Sequence, residues 1–470
     1  MEMCGLFTTG CIFPEMKEAA DWRTFAAKRM RDEETTQFLP DGAQYELSPG
    51  YHNTALNNLT AIVRIAKLTG RLDELPAGYI AGMERAFDYD LYLMTPNRSL
   101  PKFNDSGWEV GVRYSLRDAL QFFPDRADYR WIWTQGKEGT PPSVTSYQFP
   151  WAGFYAMRTG WETDASYLAF RAGPIGFSHC HQDKLSVLFW AFGREILFDS
   201  GGGSYEQSKW RDYESSTFGH NTVLVDGKPQ VRQTTDRMAN VSKSPIDARW
   251  QSTPTYDFAA GVYDDGYGSI TSRIARHTRR VLFIKPDFAL IVDTLEPADG
   301  AKHSYQARWN LNTTHTIEDT PTSAVITQDP GLPNLALIPL QTNGLSVRVV
   351  SAQTTPEILG WYIFKDHVPA EVPATTVLHT IDGTGVQTLV TLLVPLQPGA
   401  GSPVIGVQQA GAGAWNIHFH DGRQLAIEID ANAAGGIQAS ETLPDGKPGR
   451  HIAIVAAAPG KASTSSAPSD

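Results

Sequence analysis

The chain has 470 residues, 41% of them hydrophobic, 11% aromatic and 19% charged, a composition that excludes disorder, collagen and coiled coil. Its 40 Lys and Arg against 51 Asp and Glu give a formal net charge of −11 without any block of five like charges, which argues against non-specific nucleic-acid binding and leaves a polyanionic partner only a local basic groove. Three scattered cysteines, Cys4, Cys11 and Cys180, are too few for a disulfide framework or a thiolate-only zinc site, and no apolar run reaches the length of a membrane-spanning helix.

The first third reads as helical. Cys4 to Phe13 is mildly apolar, but Glu2 precedes it and no Lys or Arg comes before Lys17, the wrong polarity for a secretory leader. It is taken as part of a folded helical segment. Met16, Ala19, Trp22, Ala26 and Met30 form one apolar stripe, and Leu56, Leu59, Ile62, Val63 and Ala66 form a second. Asn53 or Thr54 can cap the second helix and Gly70 can end it. A third helix starts after Pro76, buries Met83, Phe87, Leu91 and Met94, and stops before Pro96.

Residues 96–146, rich in Pro, Gly, Asp and Arg, read as connection, with 126–146 as the linker between a helical unit (1–125) and a β unit (147–458). From Tyr147 onward short β-rich runs alternate with turn residues, as in Leu185 to Phe192, Asn221 to Val225 and Gln387 to Val394. Arg280 to Leu295 predicts a hairpin around Lys285-Pro286-Asp287. Such a series implies a large antiparallel β-sandwich, so the fold class is α+β and multidomain. Residues 459–470 are small and polar and are expected to be a disordered tail.

Polar chemistry concentrates in Ser178-His179-Cys180-His181-Gln182-Asp183, in Phe198-Asp199-Ser200-Gly201, and in Gly219-His220-Asn221-Thr222. If the first segment is extended, His179 and His181 share a face and Cys180 points away. Two imidazoles, a carboxylate and a third His make a zinc set of nitrogen and oxygen ligands. Hydrogen-bonded histidines on a sheet surface would give the same pattern. A hairpin centred on Gly193-Arg194 pairs Asp199 with Leu188, so the cluster forms only if the chain bends near Asp183. The second concentration is Asp41 to His52, where a Pro-Gly turn delivers Tyr51 and His52 to a helix N-terminus, whose positive dipole end favours a phenolate; a tyrosine simply packed in a loop would give the same pattern.

Together these segments resemble the heparinase II/III-like polysaccharide lyases, the group of heparin, heparan sulfate and oligoalginate lyases. The resemblance runs through Phe13-Pro14-Glu15-Met16-Lys17-Glu18-Ala19, Asp41 to His52, His179-Cys180-His181-Gln182-Asp183 and Phe198-Asp199-Ser200-Gly201. It continues in Ser216 to Val223, in Val225-Asp226-Gly227, and in the hairpin from Arg276 to Leu295. It implies a partial α/α toroid followed by an antiparallel β-sandwich, with the active site in the cleft between them. The reaction implied is β-elimination at a uronic acid: the C5 proton is abstracted, the C4–O bond breaks, and an unsaturated sugar results. By motif position, Tyr51 would be the acid, and in some relatives also the base, with His179 the base or a carboxylate neutraliser. His181, Asp199 and His220 would hold a structural zinc, and Tyr205, Arg211 and His52 would contact an acidic polysaccharide. A periplasmic or secreted location and a homodimer are further expectations, with no nucleic-acid or membrane partner.

Two departures accompany the resemblance. Cys180 stands where relatives place glycine. The family's neutralising Asn or His lies upstream of the catalytic tyrosine by about the length of everything before Tyr51, with Glu2 matching a position just after it. The expectation is that Met1 lies inside a longer parent, and that the chain lacks this group and turns over slowly. Two other readings compete: a cupin-like metal enzyme, suggested by His-x-His and a distant His, and a non-catalytic carbohydrate-binding scaffold.

Overall fold

The structure, a computed structural model, describes residues 1–456 except 107–109, 233–234, 247, 320–321 and 366–367. The expected tail from 459 lies outside the described residues. The helices that lead the chain are α1 (Glu2–Ile12), α2 (Ala19–Gln37), α3 (Pro49–Leu68), α4 (Tyr79–Leu93), α5 (Val112–Ala119) and α6 (Ala127–Trp133).

In α3 the residues Leu56, Leu59, Ile62, Val63 and Ala66 are buried, as their spacing requires. The helix starts at Pro49, however, four residues before the expected cap at Asn53. A proline at the first helical position loses nothing, because its missing N–H would have been unpaired there. Tyr51 and His52 therefore lie inside the first turn. Gly70, at φ +65°, closes the helix. The expected α2 stripe is shifted: Ala19, Ala26 and Met30 are buried, whereas Met16 precedes the helix and is exposed.

Residues 96–146 are more than connection, since they contain α5 and α6, and α6 falls inside the expected linker 126–146. Val112, Leu116 and Ala119, spaced by four and three, are the buried face of α5. So short a stripe is masked in the sequence by the surrounding Arg, Asp and Pro.

Among the described residues, three large antiparallel sheets stack beyond the helices, beside two two-stranded ribbons. The first has nine strands and runs in the order Tyr147–Phe149, Phe154–Arg158, Tyr167–Arg171, Val187–Ala191, Arg194–Leu197, Lys302–Leu311, Thr375–Thr384, Leu345–Ser351, with Val223–Val225 also on Lys302–Leu311. The second has eight strands, with Gln387–Leu396, Phe288–Pro297, Ala275–Ile284 and Tyr256–Tyr263 at its centre. The third has five strands, from Val404–Gly411 to Pro448–Ile454.

Alternation along each strand decides what packs on what. Phe154 and Ala156 face the helical core, while Tyr155 and Met157 face the second sheet. Leu188 and Trp190 divide from Val187 and Phe189 in the same way. In Phe288–Pro297, Ala289 and Ile291 pack on the first sheet, and Phe288, Leu290 and Val292 on the third. These three strands are apolar on both faces, because the first and second sheets each have a neighbour on either side.

Two expected hairpins occur. Ala275–Ile284 pairs with Phe288–Pro297 across Lys285-Pro286-Asp287. The other turns at Phe192-Gly193, both at positive φ, with Phe189 opposite Leu197 and Ala191 opposite Arg194. Its centre is thus one residue earlier than expected, and a register shift between Phe189 and Trp190 offsets the strands further. Strand pairing stops at Val187, so residues 179–186 are free to turn, as the metal cluster requires.

Candidate active site

The site forms where three loops are tied together. Ser48 precedes α3, and its hydroxyl bonds to the Asp105 carbonyl (3.1 Å) and to Ser106 Oγ (2.8 Å), while Gly50 N–H donates to Ser106 Oγ (3.0 Å). Ser106 thereby satisfies one of the backbone donors that every helix start leaves open. Asn104 donates from Nδ2 to the Leu47 carbonyl (2.9 Å) and accepts the His181 N–H on Oδ1 (2.9 Å). Asp105 N–H donates to the His179 carbonyl (3.2 Å). Residues 104–106 therefore hold the start of α3 against the loop that carries both histidines.

His179 is not extended but sits at φ +56°, so the expected shared face of His179 and His181 does not exist. The two imidazoles diverge to different partners. His179 stacks on Tyr51, with ring centroids 3.5 Å apart and planes 12° from parallel. Its Nδ1 lies 2.5 Å from Glu46 Oε2, which leaves Nε2 as the nitrogen open to a ligand. Tyr51 Oη is 2.7 Å from Tyr205 Oη, and the Tyr205 ring stands edge-on to His179 at 6.1 Å. Burial, reinforced by the bond to Tyr51, raises the Tyr205 pKa, so Tyr205 holds its proton.

Arg211 lies on α7 (Lys209–Ser215), whose N-cap Ser208 accepts its backbone N–H. Its guanidinium makes a two-pronged bond to Asp105, at 2.5 and 3.0 Å, reaches Glu214 at 3.0 Å, and lies over the Tyr205 ring at 5.2 Å. It is thus committed to holding Asp105 and Tyr205. Asp105 also accepts His181 Nε2 at 2.9 Å. Burial would raise its pKa, but the bonds from His181 and Arg211 prevail and keep it well below the usual carboxylate range.

His52, expected at the substrate, is 1% exposed. It accepts Gln44 N–H at Nδ1 (3.3 Å), faces the Ala86 carbonyl with Nε2 (3.1 Å), and packs against Phe38 and Tyr89. Burial holds its pKa down at about 3. It is a neutral core residue, because position 52 of a helix that begins at Pro49 points inward while position 51 points out. Cys180 turns from the site as expected, with Sγ near the Gly176 carbonyl at 3.4 Å.

His181, Asp199 and His220 do come together. All three are fully buried, with one potential ligand atom from each lying within 4.8 Å of the others. His220 Nδ1 bonds to Asp199 Oδ2 at 2.9 Å, and Asp199 Oδ1 accepts Gly201 N–H at 3.0 Å. His181 Nδ1 and His220 Nε2 are buried without any partner. Each such orphan costs about 1–3 kcal/mol, and a cation between them would satisfy both. The Asp105–His181 bond is the carboxylate support that a metal-bound imidazole needs on its far nitrogen. The donor set fits a zinc ion. These residues sit at strand and loop ends of an open sheet, not inside a barrel, so the cupin-like reading fails on architecture.

Sequence reasoning missed Glu46 and Asp105. Glu46 lies inside the Asp41 to His52 segment already singled out. Asp105 lies in a stretch taken for connection, and its role comes only from three-dimensional proximity.

Comparison with known proteins agrees with this layout. The chain is 30% identical to a heparin-sulfate lyase of Bacteroides stercoris over 292 residues, 61% of this chain and 41% of that protein. It is 26% identical to a heparin-sulfate lyase of Pedobacter heparinus over 291 residues, 60% of this chain and 42% of that protein. It therefore spans less than half the length of these relatives. A solved heparinase III gene product superposes on 97% of this chain and 65% of its own, with a TM-score of 0.76 at 22% identity, which establishes the shared toroid-plus-sandwich fold. The heparinase II/III N-terminal family model matches residues 1–131 and the heparinase II/III-like C-terminal model matches residues 141–383, and the chain belongs to the heparinase II/III family.

Proposed function

We propose that this chain carries the acid–base pair of a polysaccharide lyase that cleaves a uronic-acid-containing glycosaminoglycan of the heparan sulfate kind by β-elimination. The observation that carries the reading is the stacked pair Tyr51 and His179, one from the helical layer and one from the β layer, with Tyr205 on the phenol. A proton next to a carboxylate is removable only when donors take up the developing enediolate charge. A base must reach C5 and an acid the O4 leaving group. His179 Nε2, with Nδ1 held by Glu46, accepts the C5 proton and later releases it to solvent; where His179 instead donates to the carboxylate, the Tyr51 phenolate takes the C5 proton. Tyr51 Oη protonates the departing oxygen and recovers its proton from solvent or through Tyr205. The heparin-sulfate lyase names of the relatives support the sulfated substrate, and a periplasmic or secreted location rests on the family resemblance alone.

A panel of uronate polysaccharides scored for ultraviolet absorbance of unsaturated ends tests this. Tyr51→Phe should lose at least about 100-fold in turnover with an unchanged circular dichroism spectrum. Unaltered turnover would refute the assignment, and no product from the parent on any polymer would favour the carbohydrate-binding scaffold.

His181, Asp199 and His220 would hold zinc as a structural cross-link between the His181 loop and the strand end at Asp199, with no part in proton transfer. Metal analysis of protein purified without chelator should find one zinc per chain. His220→Ala should lose it.

A further inference from the structure

An acidic protein has little reason to gather positive charge in a cavity, yet Lys184, Arg232 and Lys243 line one beside the His181 loop, where Arg232 also donates to the Gly173 and His181 carbonyls. Lys184 and Ile246 stand at the junction of two adjoining cavities of about 610 and 360 Å3. In the wall of the larger, Arg232 and Lys243 join Lys184, and Ser242 and Ser244 offer hydroxyl donors.

Among the described residues the cations are in surplus. Arg232 is 6% exposed, and its Nε is buried with no partner. Its Nη2 reaches Asp183 at 3.3 Å, but Arg171 holds the same carboxylate, so two guanidiniums share one negative charge. The Lys184 ammonium has no hydrogen-bond or ion-pair partner among the described residues, and Lys243 is exposed. On the opposing side, Asp265 in the wall is within 3.8 Å of Arg273, and Asp264 is exposed in the wall of the smaller cavity. Burial first, then the neighbouring Arg232, pulls the Lys184 pKa down to about 8 against the opposing pull of Asp265 and Asp264.

We infer that the Lys184 cavity is an oxyanion site, taking a sulfate group, free or carried on a sugar, between Lys184 Nζ, Arg232 and Lys243. A cavity of this size accepts one such anion with water, or a sulfated monosaccharide. The anion would add negative charge where Asp183, shared by Arg171 and Arg232, and the more distant Asp264 and Asp265 leave the cations in surplus. The site uses neither Tyr51 nor His179 and stands whether or not the lyase reading does.

Isothermal titration of the full chain with sodium sulfate, at ionic strength fixed with chloride, tests it. One saturable site is expected, weakened about tenfold or more in Lys184→Met, but retained in Lys184→Arg, which keeps the charge, and in Tyr51→Phe. A second arm with glucosamine 6-sulfate reads the source: tighter binding than free sulfate assigns a sugar-borne group, and equal or weaker binding assigns the free anion. Should Lys184→Met fail to fold, Lys243→Ala, an exposed change, should weaken binding several-fold. Absence of saturable binding in the parent chain, or binding equal to the parent's in whichever of these two variants folds, overturns the proposal.

Discussion

His179 holds φ +56°, a region where a non-glycine residue loses roughly 1–2 kcal/mol. The bond to Glu46 and the stack on Tyr51 offset that strain and aim the ring. Glu46→Ala should therefore lower kcat about 100-fold with little change in KM, since a ring misplaced by about 1 Å loses that much. Glu46→Gln, which keeps an acceptor for Nδ1–H, should recover part of the loss, and steady-state kinetics on the preferred polymer decide between them.

His52 gives a stability prediction of definite sign. Its pKa falls from 6.5 to about 3 on folding, so the unfolded chain takes up a proton that the folded one refuses. Its stabilisation is complete above about pH 6.5 and is lost as pH falls toward 3, on the order of 4 kcal/mol by then. Neighbouring Asp90, 3.4 Å away, is pushed up to about 7 by burial; its cost instead grows between pH 4 and 7, where only the unfolded carboxyl ionises. Urea denaturation should show the parent losing more stability than His52→Gln between pH 6 and pH 4.

Among the elements, the segment 104–106 reinforces what the Tyr51–His179 stack begins: it ties the start of α3 to the histidine loop through hydrogen bonds. Asn104→Ala removes both of its buried hydrogen bonds and places alanine at φ +56°. The expected loss is about 2–4 kcal/mol, read as a lower urea midpoint, with a fall in turnover because Leu47 and His181 are released together. α3 itself was legible, since Leu56 to Ala66 repeat at helical spacing. Its first turn was not, because Pro49-Gly50 reads equally as a turn or as a helix start. The Ser106 bonds to Ser48 and Gly50 and the helical bond from His52 N–H to the Ser48 carbonyl favour the second.

Across the whole molecule, helices and three sheets form successive layers, and the site lies where the helical layer meets the first sheet. Arg279 illustrates the cross-layer wiring. It belongs to the second sheet, is fully buried against Asp293, and donates to the Leu185 and Asn221 carbonyls of the site loops, at 2.7 and 2.5 Å. The sequence by itself determined the order of helices then strands and the hairpin at Lys285-Pro286-Asp287, because hydrophobic period and turn signals are short-range properties, while it was the family resemblance of its motifs that singled out Tyr51 with His179 and His181 with Asp199 and His220. Only the tertiary structure decided that His52 is core, that His179 and His181 part company, and that Glu46 and Asp105 support them. Those outcomes depend on helix phase, on a left-handed backbone angle and on charges brought together from distant segments, none of which a local pattern encodes.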